Sequence, residues 1–120
     1  MSVSTEVQNG VVIISFADAR ILDEARIRGL GKELTEILGK SEEERVVLNF
    51  RNVEFMSSAM LGMLVSFNKR CKEFKVKLKL CGIVPEIREV FKITRLDKLF
   101  DIQSDVETAL SAFGRRGFFS

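Results

Sequence analysis

The run Val46-Val47-Leu48-Asn49-Phe50, continued by Arg51-Asn52-Val53-Glu54 and then by Phe55-Met56-Ser57-Ser58-Ala59-Met60-Leu61-Gly62, decides the fold. Its opening residues form a short, strongly apolar run, the pattern of a strand in the middle of a parallel sheet. From Ser58 onward the apolar residues take up helical spacing and keep it to about Phe74. A strand therefore hands over to a helix at two adjacent hydroxyls, Ser57 and Ser58. The first turn of a helix has free backbone N–H groups and a partial positive charge. A serine there can cap the helix, and the same N–H groups would receive a phosphate carried on it. On the residues alone both readings stand, cap and phosphate acceptor.

The flanking sequence supplies the rest of the sheet. Val3 to Gln8 and Val11 to Phe16 read as strands joined at Asn9-Gly10, a two-residue hairpin signal. The second is apolar nearly throughout, so cover on both faces is expected. Ala17 to Leu22 reads as a connector. Asp23 caps a helix whose stripe is Ile27, Leu30, Leu34, Ile37 and Leu38 and whose end is expected at Gly39. Beyond the central helix, Lys75 to Leu80 reads as a strand and Cys81-Gly82 as a turn. Pro85 then opens a helix contacting the core through Ile83, Ile87, Val90 and Phe91. Phe100-Asp101-Ile102 is a short strand, and Ser104-Asp105-Val106-Glu107 has the capping-box pattern before a helix to about Phe113.

Each later strand follows a helix, so those strands are expected to be parallel, with the hairpin as an antiparallel edge. The fold class is α/β: a small single-domain mixed β-sheet with parallel central strands, an N-terminal antiparallel hairpin and about four helices. The domain is expected over residues 1–113, with a flexible tail over 114–120.

Composition narrows function. A chain of 120 residues is long enough for one core and too short for two. The N-terminus lacks the basic start and apolar run of a signal peptide, and no run approaches the length of a membrane span. A cytoplasmic protein with no membrane association is expected. Cys71 and Cys81 are too few and too far apart for a zinc motif, and they read as small core residues. There is no histidine, which removes the commonest general base and metal ligand. No catalytic residues, metal or cofactor are called for, and the chain reads as a non-enzyme. Cations crowd the second half, but Lys75, Lys77 and Lys79 alternate with Val76, Leu78 and Leu80 as one wet strand face. Aromatics for base stacking are not interleaved with them, so nucleic acid is not an expected partner.

On the central helix, turned at about 100° per residue, Leu61, Leu64, Val65, Asn68 and Cys71 share the natural core face. Met60, Met63, Phe67 and Phe74 share an adjoining one. The second stripe either packs on a neighbouring helix or offers a flexible, Met-rich binding surface beside Ser58.

The element order and the serine turn resemble the STAS domain of bacterial anti-sigma factor antagonists over nearly the whole chain. The most specific part runs from Val47 to Gly62, where the family typically has an apolar strand and then Asp-Ser-Ser/Thr-Gly-Leu-Gly opening a helix. Laid on this sequence, the family's aspartate falls on Ser57, its phosphorylated serine on Ser58, its Ser/Thr on Ala59 and its first glycine on Met60, while Leu61 and Gly62 match. Ile21-Leu22-Asp23 looks like the family's Leu-Asp pair, which places Asp23 beside the phosphorylation loop.

The resemblance implies partner switching. The unphosphorylated protein would bind a serine-kinase anti-sigma factor and be released on phosphorylation at Ser58. A metal-dependent serine phosphatase would restore it. Asp23, Ser57 and Ala59 would adjoin the phosphosite, and Met56, Met60, Leu61, Gly62, Met63 and Phe67 would meet the partner. A monomer or weak homodimer is implied. Ser57 removes a carboxylate beside the acceptor, and Met60 puts a bulky side chain in the first helical turn, where a kinase must approach. The alternative is a non-phosphorylated STAS scaffold or sensor in a stress-signalling or transport-linked complex.

Overall fold

The structure, a computed structural model, describes residues 3–114. The chain runs β1 (Val3–Gln8), β2 (Val11–Phe16), β3 (Arg20–Ile21), α1 (Glu24–Lys40), β4 (Arg45–Asn49) and β5 (Phe55–Met56). It continues through α2 (Ser58–Glu73), β6 (Lys77–Cys81), α3 (Pro85–Ile93), a 3-10 turn at Leu96–Lys98, β7 (Asp101–Gln103) and α4 (Val106–Phe113). Five strands form one sheet in the order β1-β2-β4-β6-β7. β1 pairs antiparallel with β2, and every other neighbour is parallel. The expected α/β architecture, with β4 at its centre, is therefore present. Of the tail expected over 114–120, everything beyond Gly114 lies outside the described residues.

The sheet divides its side chains by the two-residue period of a strand. Val12, Ile14, Phe16, Val46, Leu48 and Leu80 face α1, α2 and α3 in the main core. Val11, Ile13, Val47 and Cys81 face α4 in a smaller one. β2 is thus covered on both faces, as its apolar run predicts. Both thiols are buried, and burial pushes Cys71 up to about 12 and Cys81, which also faces Asp105, up to about 11. They stay protonated and behave as core residues.

Local chemistry moves several boundaries. Asn9 and Gly10 both take positive φ, 54° and 75°, as a tight hairpin turn requires. Gly39 does not end α1; the helix runs on to Lys40, and Ser41 N–H closes it on Ile37 O at 3.0 Å. The strand expected from Lys75 begins at Lys77. Lys75 takes the left-handed conformation (φ 59°) and Val76 N–H returns to Cys71 O at 2.7 Å, which closes α2 instead. At α4 the cap is Asp105, whose carboxylate accepts from Thr108 N–H at 2.8 Å, while Ser104 Oγ bonds Thr108 Oγ1. The "connector" before α1 contains β3, which pairs in parallel with β5 as a separate two-stranded ribbon. Two residues of Arg-Ile and two of Phe-Met are too short to show any period.

The lysine face is also drier than its alternation suggests. Lys79 lies on the α4 side, with its Nζ 4.6 Å from the centre of the Phe113 ring and paired with Asp101. α4 covers this part of the sheet, so within β6 only Lys77 keeps the wet position, and Lys75 is exposed in the turn before the strand.

Candidate functional site

The serine turn is held in place by the small ribbon. Val53, fully buried, anchors the loop after β4, and Glu54 and Phe55 N–H both donate to Ala19 O. Arg20 and Ile21 lie beside Phe55 and Met56 in register. Ser57 N–H then donates to Ile21 O at 3.0 Å, so the start of α2 is tied to the end of β3. Two residues beyond Ile21, Asp23 caps α1 by accepting from Arg26 N–H at 2.9 Å. Asp23 is exposed, and its carboxylate serves the neighbouring helix start.

The two hydroxyls are not equivalent. Ser57 is the N-cap residue of α2, but its side chain makes no capping hydrogen bond. Its Oγ is buried and has no hydrogen-bond partner among the described residues. Ser58 is the first helical residue and is exposed. Side-chain capping therefore does not account for the serine pair.

α2 turns a different face to the core from the one its sequence suggests. Met60, Leu64, Phe67, Asn68 and Cys71 are buried. Met60 has no exposed surface and belongs to the main core, so its side chain is not part of the surface beside Ser58, contrary to expectation. Phe67 is likewise a core residue and not a surface contact. Met63 is half-buried against α1, where a Cβ on Gly31 would come within 3.2 Å of its Cγ. That is the neighbouring-helix reading of the second stripe. The buried arc is centred between the two expected stripes because α2 packs on the sheet and on α1 at once. Val65, placed in the core by its spacing, is 38% exposed. At 100° per residue Ser58, Leu61, Gly62 and Val65 share one outer strip; Leu61 is half-buried and the other three are open.

Beside the serine turn lies an apolar groove of about 540 Å³ between the β3–β5 ribbon and α3. Leu22 (46% exposed), Phe55 (52%) and Val90 (41%) open onto it, with Met56, Val84 and Ile87 along its floor. Arg20 lies 4.9 Å over the Phe55 ring, and Glu54 and Glu86 stand at the rim. Sequence reasoning found only Met56 here. Val90 was expected in the core, yet it and Ile93 fall off the Ile87–Phe91 stripe of α3, a signal that both face outward. Phe55 and Leu22 carry no such signal, because what exposes them is the unanticipated ribbon.

Among the described residues no helix is long and apolar enough to cross a membrane. No group of three or more His, Cys, Asp or Glu side chains among them could hold a metal ion.

The STAS domain family model matches residues 2–109. A Bordetella bronchiseptica protein named, provisionally, as the anti-sigma factor antagonist BtrV is 31% identical over 93 residues, 78% of this chain and 79% of that one. The structure of a STAS-domain anti-sigma factor antagonist protein from Planctomyces limnophilus superposes with a TM-score of 0.81 at 24% identity, over 92% of this chain and 96% of that one. The Bacillus cell fate determinant SpoIIAA in its phosphorylated form superposes with a TM-score of 0.68 at 16% identity, over 92% and 98%.

Proposed function

Because the chain belongs to the STAS-domain family of anti-sigma factor antagonists, we propose that it binds an anti-sigma factor in its unphosphorylated state and is released by phosphorylation at Ser58. The observation that carries this reading is the contrast between the two serines: Ser58 is exposed at the first position of α2, while Ser57 Oγ is buried. Of the two, Ser58 is the one whose hydroxyl is open to another protein's active site. The anti-sigma factor is then a serine kinase whose own base activates that hydroxyl, and a metal-dependent phosphatase resets the switch. The chain itself is substrate and binding module, not catalyst.

The groove of Leu22, Phe55, Met56 and Val90 and the outer strip of α2 flank Ser58 and suit an amphipathic partner segment. A phosphate adds close to two negative charges at that edge. The start of α2 accommodates them, since its free N–H groups and dipole favour an anion. A partner packed against the groove does not, because burying a phosphate without partners is costly. The switch acts on binding and leaves the fold intact. Incubation with ATP and a cognate kinase-type anti-sigma factor, followed by intact mass and peptide mapping, tests it. One phosphate on Ser58 supports the reading, and none, or phosphate elsewhere, refutes it.

A further inference from the structure

At the end of the sheet away from Ser58, β4 and β6 each begin with a cation, and Arg45 and Lys77 stand beside one another in register. β7 pairs only with Lys79, Leu80 and Cys81, so the first part of β6 has no neighbour on that side. A groove of about 430 Å³ opens there, walled by Leu78, Leu99 and the ring of Phe113. Arg45, Lys72, Lys77 and Lys79 all line it, against a single carboxylate, Asp101. That carboxylate is fully engaged. One oxygen accepts from Lys79 Nζ and the other from Gln103 Nε2 at 2.6 Å.

Two features of these cations stand out. Arg45 Cζ lies 5.7 Å and Lys79 Nζ 4.6 Å from the centre of the same ring, so two like charges converge on one aromatic side chain. Arg45 Nη1 is covered and has no acceptor. A covered N–H of a permanently charged guanidinium without an acceptor is destabilising. A single anion would relieve both.

We propose that this groove binds a small organic anion, a phosphate or carboxylate on an apolar or aromatic body. Arg45 and Lys77 grip the anion, and the Phe113 ring on the same side of the sheet takes the body. The bound group draws the guanidinium into the groove and supplies its missing acceptor. Arg is suited to this because its planar fork matches both oxyanions. The site lies at the opposite end of the parallel strands from Ser58 and does not depend on the partner switch.

Titration of the 15N-labelled protein with phenyl phosphate, with inorganic phosphate and phenol as separate controls, tests the site. Phenyl phosphate is expected to shift the amides of Arg45, Lys77, Leu78, Lys79 and Phe113 saturably, more tightly than either control and more weakly as salt rises. Arg45→Gln should weaken binding about tenfold and Lys77→Gln severalfold, with the rest of the amide spectrum unchanged. Lys77 is exposed, so its variant keeps the test valid if Arg45→Gln disturbs folding. No saturable shift in this cluster at about 10 mM ligand, phenol binding as well as phenyl phosphate, or wild-type affinity in both variants would overturn the assignment.

Discussion

The backbone N–H of Ser57 donates to the carbonyl of Ile21 at 3.0 Å, and this one bond ties the start of α2 to the strand that leads into α1. The two helices thus begin beside each other, one capped by Asp23 and the other opening on Ser58. At this junction the Ser57 hydroxyl is buried and has no partner among the described residues, while Ser58 is exposed.

Ser57→Ala should leave stability within about 0.5 kcal/mol of wild type or raise it by up to ~1 kcal/mol, since it removes a buried hydroxyl that bonds nothing. A side chain that capped α2 would instead cost roughly 0.5–2 kcal/mol on removal. Urea unfolding of the two proteins separates the outcomes, and a loss above 1 kcal/mol would mean the hydroxyl is bonded after all.

Leu48 has no exposed surface and lies at the centre of the sheet, facing the main core. Leu48→Ala is expected to cost about 2–5 kcal/mol through lost transfer energy and the cavity left behind. A denaturation midpoint equal to wild type would show that the core is misplaced.

Gly82 holds φ +71°, and a Cβ there would come 2.9 Å from Arg51 N. Both the left-handed backbone and the close approach oppose a side chain, so Gly82→Ala should destabilise by more than ~1 kcal/mol. Thermal unfolding reads this directly, and a neutral result would mean the two loops after β4 and β6 are not packed as described.

The hydrogen bond from Lys79, and a second from Gln103, hold Asp101 below its ordinary value of 3.8. A carboxylate whose folded pKa is depressed contributes stability above its unfolded value, and that contribution is lost as pH falls through the folded one. Asp101→Asn should therefore lower stability at neutral pH and flatten the loss of stability below about pH 4. Parallel acid limbs in the two proteins would show that the pair contributes nothing.

Much of this was legible in sequence because its signals are local and periodic. Asn9-Gly10, Pro85 and the apolar strands Val11–Phe16 and Val46–Asn49 each specify their own conformation, and their order leaves one sheet topology. What sequence missed depends on contacts between distant residues. The β3–β5 ribbon joins two dipeptides that are far apart in the chain, and the exposed Phe55 and Leu22 lie in it and directly after it. The face of α2 was misjudged because the helix packs on two partners, which draws Met60 and Phe67 inward and leaves Val65 outside. The serine turn was visible through its family pattern. Which of its serines is open was not, because that is set by packing at the start of α2 and has no local sequence signal.

If the groove between the ribbon and α3 is the docking surface, Val90→Asp and Phe55→Ser should abolish binding of the anti-sigma factor with little change in stability, since neither side chain is buried in the core (41% and 52% exposed). Met63→Ala, behind α2 against Gly31, should weaken binding far less. Calorimetric titration against the partner distinguishes them. Wild-type affinity in both groove variants would place the interface elsewhere.

The central claim is that Ser58 is the switch. It is tested most directly by forming the complex of the protein with its kinase-type anti-sigma factor and following its dissociation after ATP is added. The wild-type complex should fall apart as one phosphate appears on Ser58, the Ser57→Ala complex should do the same, and the Ser58→Ala complex should form normally and persist. Release of Ser58→Ala by ATP at the wild-type rate, or a phosphate mapped to Ser57, would contradict the account.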